Sequence, residues 1–292
     1  MPIRFILPIL LFMLAVYTNV DNLSLELRFS GRDLLLLSWD EYLFHGITFV
    51  TVANSLRGFW ATLVWYGYYS LSLILPLALC MSFIFSRRDI YKKLLLSSVL
   101  VVMIALPFWA VIPCQDPNNA FIVNLRNTPI PPSVSAAVST MSPKAKAEAG
   151  LISHDEQDHV NHNAVPVSCF PSMHASWTYV ILFFAFLVSP WTLIITIPWA
   201  IVVLTGGIYL AQHYVVDYLA AIPVAALAIF LSFLLVKFEK RLKKPFHGDD
   251  QEHEEQNTKQ IPDPDFLEVK KIKKEALASL KRWKKKSSSQ NF

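Results

Sequence analysis

Long apolar stretches alternate with short polar segments along this chain, and most of the stretches have the length of one bilayer crossing. A transmembrane helix needs roughly 20 apolar residues. Six stretches come near this length, the fourth together with its flanks: 3–20, 59–85, 94–112, 175–188, 192–210 and 214–236. The pattern predicts an all-α, polytopic membrane protein built as a six-transmembrane-helix bundle. Pro190 and Trp191 form a tight break that predicts a hairpin between the fourth and fifth helices.

Basic residues give the expected orientation of the bundle. One group lies between the second and third stretches, and another follows the sixth: Arg87, Arg88, Lys92 and Lys93; Lys237, Lys240, Arg241, Lys243 and Lys244. The positive-inside rule places both groups in the cytoplasm. No clean small-x-small cleavage site follows the first stretch, so we expect it to be an anchor and not a cleaved signal. Both termini are then cytoplasmic, and residues 21–57, 113–171 and the turn around His213 are extracytoplasmic.

The polar segments divide the chain into regions with different expected roles. Residues 23–44 mix leucines with charged side chains, which predicts a pair of interfacial amphipathic helices, either a simple connector or the wall of a lipid entrance. The regions are a first helix with this interfacial segment (1–58), helices two and three (59–112), an extracytoplasmic lid (113–171), catalytic helices four to six (172–237) and a charged cytoplasmic tail (238–292).

Composition narrows the expected partners. Apolar residues make up 54% of the chain and charged residues only 16%, which is unlike a soluble domain. The basic run at 270–286 carries apolar residues at helical spacing and should bind anionic lipids, at about 1 kcal/mol per basic side chain. We expect lipid substrates and no nucleic acid, because the chain shows no reader fold.

The lid contains two further features that bear on chemistry. Cys114 and Cys169 stand at its ends on the oxidising side, and a disulfide between them would contribute about 4 kcal/mol, with two free thiols as the alternative. Cys80 lies within the second stretch and is expected to pack there. We expect no metal and no cofactor, although a histidine-rich and acidic run in the lid has zinc-ligand chemistry. This run contains His154, Asp155, Glu156, Asp158, His159 and His162.

Two histidines and an aspartate fall at the extracytoplasmic ends of predicted helices. His213 precedes Asp217 by one helical turn, so the carboxylate would bond one ring nitrogen and fix the tautomer. Those two residues alone would equally suit a structural pair that caps a helix. His174 adds a second imidazole, so that one histidine attacks phosphorus while the other protonates the leaving oxygen. Ser172 is positioned to cap the helix that carries His174. The unpaired backbone N–H groups at the start of that helix suit anionic oxygens.

These residues resemble the motifs of a known family. Pro171-Ser172-Met173-His174 is similar to the P-S-G-H motif of the type 2 phosphatidic acid phosphatase superfamily, and His213-x3-Asp217 is similar to the end of its S-R-x5-H-x3-D motif. The resemblance runs from about residue 39 to residue 236. The P-S-[LM]-H form, together with the sequence of residues 39–44, resembles the inositol phosphorylceramide synthase-like branch.

The resemblance also has departures. Gly206 and Gly207 stand where the S-R pair would fall, and residues 107–119 lack the lysine and arginine of the family's upstream motif. In the lid, Arg126, Lys144 or Lys146 could restore a cation. Asp116, next to Gln115, could contact a headgroup hydroxyl, with loop capping as its alternative role.

The resemblance implies a role for each matching residue. His213 would be the nucleophile that forms a phosphohistidine, Asp217 would orient it, His174 would protonate the leaving group, and Ser172 would contact phosphate. A phosphomonoester carries nearly two negative charges near neutral pH and a diester carries one, so a site without these cations suits a diester better.

The prediction is therefore a lipid phosphotransferase that moves a phospho-headgroup between lipids. A phosphatase of lipid phosphates or polyprenyl diphosphates is the alternative enzyme. A non-catalytic membrane scaffold or transporter is the alternative outside enzymes.

Overall fold

The structure is a computed structural model that describes residues 32–85, 88–124, 129–150 and 169–242. Several predictions lie outside these residues: the first apolar stretch, Arg126, the histidine-rich run of the lid and the basic run of the tail. The described residues form helices and loops without a strand. A unit boundary follows Glu239, and the site described below belongs to the part before it.

Helices account for most of the described chain. They are α1 (Asp33–Phe44), α2 (Thr48–Ser55), α3 (Phe59–Phe85), α4 (Arg88–Val111), α5 (Pro132–Ser139), α6 (Met173–Val188), α7 (Leu193–Tyr209) and α8 (Val215–Leu242). A π-helical turn covers Asn118–Ile122, a 3₁₀ turn covers Pro190–Thr192, and residues 143–150 are also helical.

Within the described residues, four helical segments are long and apolar enough to cross a membrane: Phe59–Ile84, Asp89–Val111, Pro190–Tyr209 and Val215–Arg241. Their outer faces carry large exposed apolar side chains, such as Ile195 on α7 and Phe230 on α8. Such surfaces are stable against lipid and would cause aggregation in water. The protein is therefore an integral membrane protein.

The predicted count of six spans is met only in part. The fourth predicted span corresponds to α6, which has 16 residues and a length of about 24 Å, less than the ~30 Å hydrocarbon core. The Ser172 side chain caps its start, and Ser189 ends it directly before Pro190. The predicted hairpin at that proline is confirmed, because α6 and α7 pack against each other on either side of the 3₁₀ turn.

The predicted amphipathic segment is described only from residue 32 onward, and two of its charged side chains are buried. The described part of the segment forms α1, and α2 follows beyond residue 44. Asp33 and Asp40 were expected at the headgroups, but both are buried. Each carboxylate accepts backbone N–H groups from distant loops or helix starts, and such bonds compensate the loss of hydration.

The bundle brings one end of each of three helices together. α3 packs along α7, and α6 packs against α4 and α7. α8 contacts α4 through Ser97, whose hydroxyl donates to Ser232 at 2.9 Å, and through the Lys92–Glu239 ion pair at 2.9 Å. Because α8 is about 42 Å long, that ion pair lies far from the start of α8. The start of α6, the end of α7 and the start of α8 meet at the opposite end.

Candidate active site

The turn between α7 and α8 places His213 at this meeting point. The Gln212 N–H donates to the Gly207 carbonyl at 2.8 Å, and the Ala211 N–H donates to the Ile208 carbonyl at 3.0 Å. Ala211 has a φ of 53°, the left-handed conformation that this Schellman motif requires. The helix therefore ends sharply, and the chain reverses with His213 directly before α8.

Asp217, in the first turn of α8, lies beside His213 as the spacing predicts. The distance from His213 Nδ1 to Asp217 Oδ2 is 3.3 Å, and the Tyr214 N–H donates to the same oxygen at 2.8 Å. With Nδ1 protonated, the carboxylate fixes the tautomer and leaves a lone pair on Nε2. Nε2 has no hydrogen-bond partner in the described part of the chain, so it is available as a nucleophile.

Burial sets the charge of His213. The side chain is only 8% exposed, and this loss of hydration lowers the pKa of His213 to about 3. A bond to the backbone of Cys169 acts in the opposite direction and is the smaller effect. The imidazole is therefore neutral near pH 7, which is the form that can attack phosphorus.

His174 faces His213 from the first turn of α6. The two ring centroids lie 5.7 Å apart with an interplanar angle of 57°. The Ser172 hydroxyl oxygen accepts the Ala175 N–H at 3.2 Å, and the Ser172 N–H donates to the Asp217 carbonyl at 3.3 Å. Ser172 therefore caps α6 as predicted and also links the start of α6 to the first turn of α8.

Two tyrosines that the sequence analysis did not single out flank the histidines. The Tyr68 ring stacks on His174 with a centroid distance of 4.5 Å and an angle of 19°. Tyr218 lies 5.6 Å from His213, centroid to centroid, and its hydroxyl donates to the Leu204 carbonyl at 2.9 Å. Tyr68 belongs to an aromatic run in α3 that the sequence pattern explains as membrane packing, so no sequence signal marked it.

The glycines at positions 206 and 207 are required by close packing. A Cβ at Gly206 would overlap the Val64 carbonyl of α3, and a Cβ at Gly207 would overlap the Tyr218 hydroxyl. The same Cβ at Gly207 would lie 3.3 Å from the Tyr68 ring. The positions of the family's serine and arginine therefore have no room for a side chain in this protein.

Replacing Gly207 with alanine is expected to lower the free energy of unfolding by about 1–3 kcal/mol through overpacking. Removing the Tyr218 hydroxyl in a Tyr218→Phe background should reduce this cost. Unfolding of the purified protein in mixed micelles measures both effects. Gly46→Ala is the matched control, since nothing lies within 4 Å of its Cβ position. Equal stability of Gly207→Ala and Gly46→Ala would contradict the packing.

Cys169 is a further contact of the Asp217 carboxylate. Its thiol donates to Asp217 Oδ2 at 2.9 Å, and the sulfur lies 3.8 Å from His213 Nδ1. Burial raises the pKa of the Cys169 thiol, which keeps the proton on sulfur. The predicted disulfide is not formed in the structure: Cys114 and Cys169 are both free thiols, although they lie in contact. Two free thiols were the stated alternative to the disulfide.

Asp40 holds the start of α8 from outside that helix. Its Oδ2 accepts the Val215 N–H at 3.1 Å, and its Oδ1 accepts the Val216 N–H at 2.9 Å. A carboxylate there satisfies two of the N–H groups that a helix start leaves unpaired and complements the helix dipole. Asp40 therefore positions the turn and the first residues of α8, including Asp217.

Replacing Asp40 with alanine should destabilise the protein by about 2–4 kcal/mol, because the N–H groups of Val215 and Val216, part-buried and buried, lose their acceptor. Asp40→Asn should recover part of this loss, since its amide oxygen still accepts one bond. Denaturation in mixed micelles measures the effect. Glu41→Ala, at the neighbouring exposed position of α1, is the control. A loss as large in Glu41→Ala would show that Asp40 has no special role.

The other predicted site residues lie in the lid. Asp116 accepts the Asn119 N–H at 2.7 Å and the Asn119 side-chain amide at 2.8 Å, so it caps the π-helical turn, as its alternative role predicted. Lys144 pairs with Glu148 at 3.5 Å, and the Lys146 ammonium donates to the Ser139 carbonyl at 3.3 Å. The contacts of these two lysines are therefore within the lid.

Comparison with known proteins agrees with the motifs. A family model described as the PAP2 superfamily matches residues 34–231, which include the two histidines, the aspartate and the capping residues. No curated protein and no solved structure matches the chain. The family match supports lipid phosphate chemistry of the phosphatase or phosphotransferase type. The chain belongs to the PAP2 superfamily.

Proposed function

We propose that this protein is a membrane lipid phosphotransferase that moves a phospho-headgroup between lipids through a phosphohistidine on His213. The observation that carries the proposal is the facing pair of imidazoles, 5.7 Å apart between centroids, beside glycines whose packing excludes the family's arginine. The active site is proposed to open to the extracytoplasmic face. Its P-S-M-H form favours the inositol phosphorylceramide synthase-like branch, which would make the acceptor a sphingolipid.

In the first half-reaction, His213 Nε2 attacks the phosphorus of a diester lipid. The bond between phosphorus and the lipid oxygen breaks, and His174 gives a proton to that oxygen, which leaves as a lipid alcohol. Burial lowers the pKa of His174 to about 3 in the empty site, so His174 takes up this proton when the anionic phosphate binds beside it. The headgroup phosphate remains on Nε2 as a phosphoramidate. Asp217 stabilises the positive charge that develops on the His213 ring, because its carboxylate accepts the Nδ1 hydrogen.

In the second half-reaction, the hydroxyl of the acceptor lipid attacks the same phosphorus. Neutral His174 takes the hydroxyl proton, the bond from phosphorus to Nε2 breaks, and His213 returns to its neutral form. The two steps together exchange one lipid alcohol for another at constant phosphodiester charge. Reacting atoms need to approach to roughly 3–3.5 Å, and the short separation of the two rings suits one phosphate between them.

Charge is the reason for preferring a diester. The residues around the histidine pair are tyrosines, cysteines, glycines and an aspartate, and in the described part of the chain the lid lysines bond to lid groups. A phosphomonoester dianion bound beside Asp217 would need cations to offset repulsion, as bidentate arginines do in phosphate sites. A diester monoanion carries about half that charge.

The experiment compares two substrates of the purified protein in lipid vesicles. We expect headgroup transfer from a labelled phosphodiester lipid to a lipid alcohol, and little inorganic phosphate from phosphatidate. Phosphate release from the monoester without headgroup transfer would instead identify a lipid phosphatase. Normal cellular function of a folded His213→Ala protein would favour the scaffold or transporter.

A further inference from the structure

Three different donor atoms meet beside the proposed nucleophile. Cys169 Sγ lies 2.9 Å from Asp217 Oδ2 and 3.8 Å from His213 Nδ1, and that nitrogen lies 3.3 Å from the same carboxylate oxygen. All three side chains are buried. A thiol, an imidazole and a carboxylate at these separations form the donor set that proteins use for zinc.

The separations are close to those of a tetrahedral site. With metal–ligand distances of about 2.0–2.3 Å, tetrahedral ligand atoms lie about 3.2–3.8 Å apart. The distances from His213 Nδ1 to the other two atoms already fall in or at the edge of this range. Only the distance between sulfur and the carboxylate is shorter, as expected for a hydrogen bond that a metal would replace.

A further feature of the cluster favours a bound cation. Asp217 Oδ1 is buried and has no hydrogen-bond partner in the described part of the chain. A buried carboxylate oxygen without a partner is costly in a protein interior, and a cation would satisfy it.

We propose that Cys169, His213 and Asp217 bind a thiophilic divalent cation such as Zn²⁺, and that this cation blocks the nucleophile. Binding would release the thiol proton of Cys169 to solvent and move the His213 proton from Nδ1 to Nε2. Nε2 then has no lone pair for attack on phosphorus. The inhibition rests on the proposed function, and the binding does not. Sequence spacing gave no sign of this site, because Cys169 reaches His213 only in the fold.

Co²⁺ is the probe for binding, because a thiolate ligand gives Co²⁺ a charge-transfer absorption that carboxylates and imidazoles do not produce. The full chain in detergent should show this absorption on titration with Co²⁺, and Zn²⁺ should displace it. Cys169→Ser should lose the absorption and bind Zn²⁺ more than 10-fold more weakly. Cys80→Ser, which removes an exposed cysteine, should behave like the unaltered chain.

A second measurement covers the case in which Cys169→Ser does not fold. In the Cys80→Ser protein, Zn²⁺ should slow alkylation of Cys169 by a small maleimide, measured on the peptide that contains Cys169, and a chelator should restore the rate. Thiolate absorption that persists in folded Cys169→Ser, or an alkylation rate that Zn²⁺ does not change, would overturn the site.

Activity is measured separately from binding. Zn²⁺ should inhibit headgroup transfer with the same concentration dependence as it displaces Co²⁺, and a chelator should reverse the inhibition. Binding without an effect on transfer would overturn the proposed inhibition through His213, although the metal site itself would still be supported. Binding by a protein that shows no transferase activity would contradict the proposed function and not the metal site.

Discussion

Replacing His213 with asparagine is expected to reduce headgroup transfer by at least about 10³-fold while the protein stays folded. The substitution removes the only atom positioned to attack phosphorus in the proposed mechanism. Asp217 keeps the Tyr214 N–H and the Cys169 thiol as donors, so the start of α8 retains its bonds. Transfer rates and thermal unfolding of the purified variant in detergent test the two halves of this prediction.

His45→Asn is the matched control for this substitution. His45 is exposed between α1 and α2 and has a φ of 56°, a conformation that asparagine tolerates. Its variant should retain full activity. If His213→Asn kept transfer within about fivefold of the control, His213 would not be the nucleophile, because nucleophile removal costs far more than this.

The pH dependence of stability follows from the same histidine. Its pKa is about 3 in the folded protein, against the ordinary histidine value of 6.5, so the unfolded chain binds more protons as the pH falls below about 6.5. The stability that neutral His213 contributes is present above that pH and is lost as the pH falls towards 3. The His213→Asn protein should therefore lose less thermal stability between about pH 6.5 and pH 4 than the His45→Asn protein.

Asp217→Asn is expected to lower the maximal transfer rate by about 10²–10³-fold with little change in the apparent affinity for lipid. The amide has the shape of the carboxylate, and its oxygen takes the position of Oδ2, because the Tyr214 N–H and the Cys169 thiol donate there. That oxygen still accepts the Nδ1 hydrogen of His213. A neutral amide, however, stabilises the positive charge that develops on the ring much less than a carboxylate does.

Kinetics at several lipid concentrations separate this role from a structural one. Loss of folding would reduce the amount of active protein, which a ligand-independent measure such as thermal unfolding detects. Glu41→Gln, an exposed amide substitution on α1, should leave both kinetic constants unchanged. A rate within about fivefold of Glu41→Gln would show that the Asp217 carboxylate does not stabilise the charged ring of His213.

Local spacing made much of the site predictable. His213 and Asp217 are separated by one helical turn, and Ser172 precedes a helix start, so their pairing and capping follow from helix geometry alone. The apolar stretches likewise predicted α3, α4, α7 and α8, because a bilayer imposes both length and composition on a spanning helix. The fourth stretch, 175–188, reached the length of a crossing only with its flanks, and α6 does not extend over them because Ser172 caps its start and Ser189 ends it.

The contacts that were missed join segments far apart in sequence. Asp40 reaches the start of α8 across 175 residues or more, and a charged residue in a leucine-rich helix is ordinarily read as facing the headgroups. Tyr68 meets His174 only because α3 and α7 approach closely at their glycines. Cys169 was paired with Cys114 from their positions at the lid ends, but its bond to Asp217 depends on the turn before α8.

The same glycines connect the fold to the choice of substrate. In the sequence they mark a motif that departs from its family, and in the structure they mark a contact where no side chain fits. The tyrosines on either side fill the space with aromatic rings in place of a guanidinium. Close helix packing thus excludes a positively charged side chain at these two positions, and this is the physical basis for expecting a diester substrate.

The most direct test of the phosphohistidine mechanism is to quench the purified protein rapidly after mixing it with a headgroup-labelled phosphodiester lipid in the absence of acceptor. We predict an acid-labile, alkali-stable adduct of the headgroup phosphate on the peptide that contains His213, which disappears when the acceptor lipid is added and is absent from His213→Asn. Transfer that proceeds at full rate without an adduct at His213, or with the label on another residue, would contradict the mechanism.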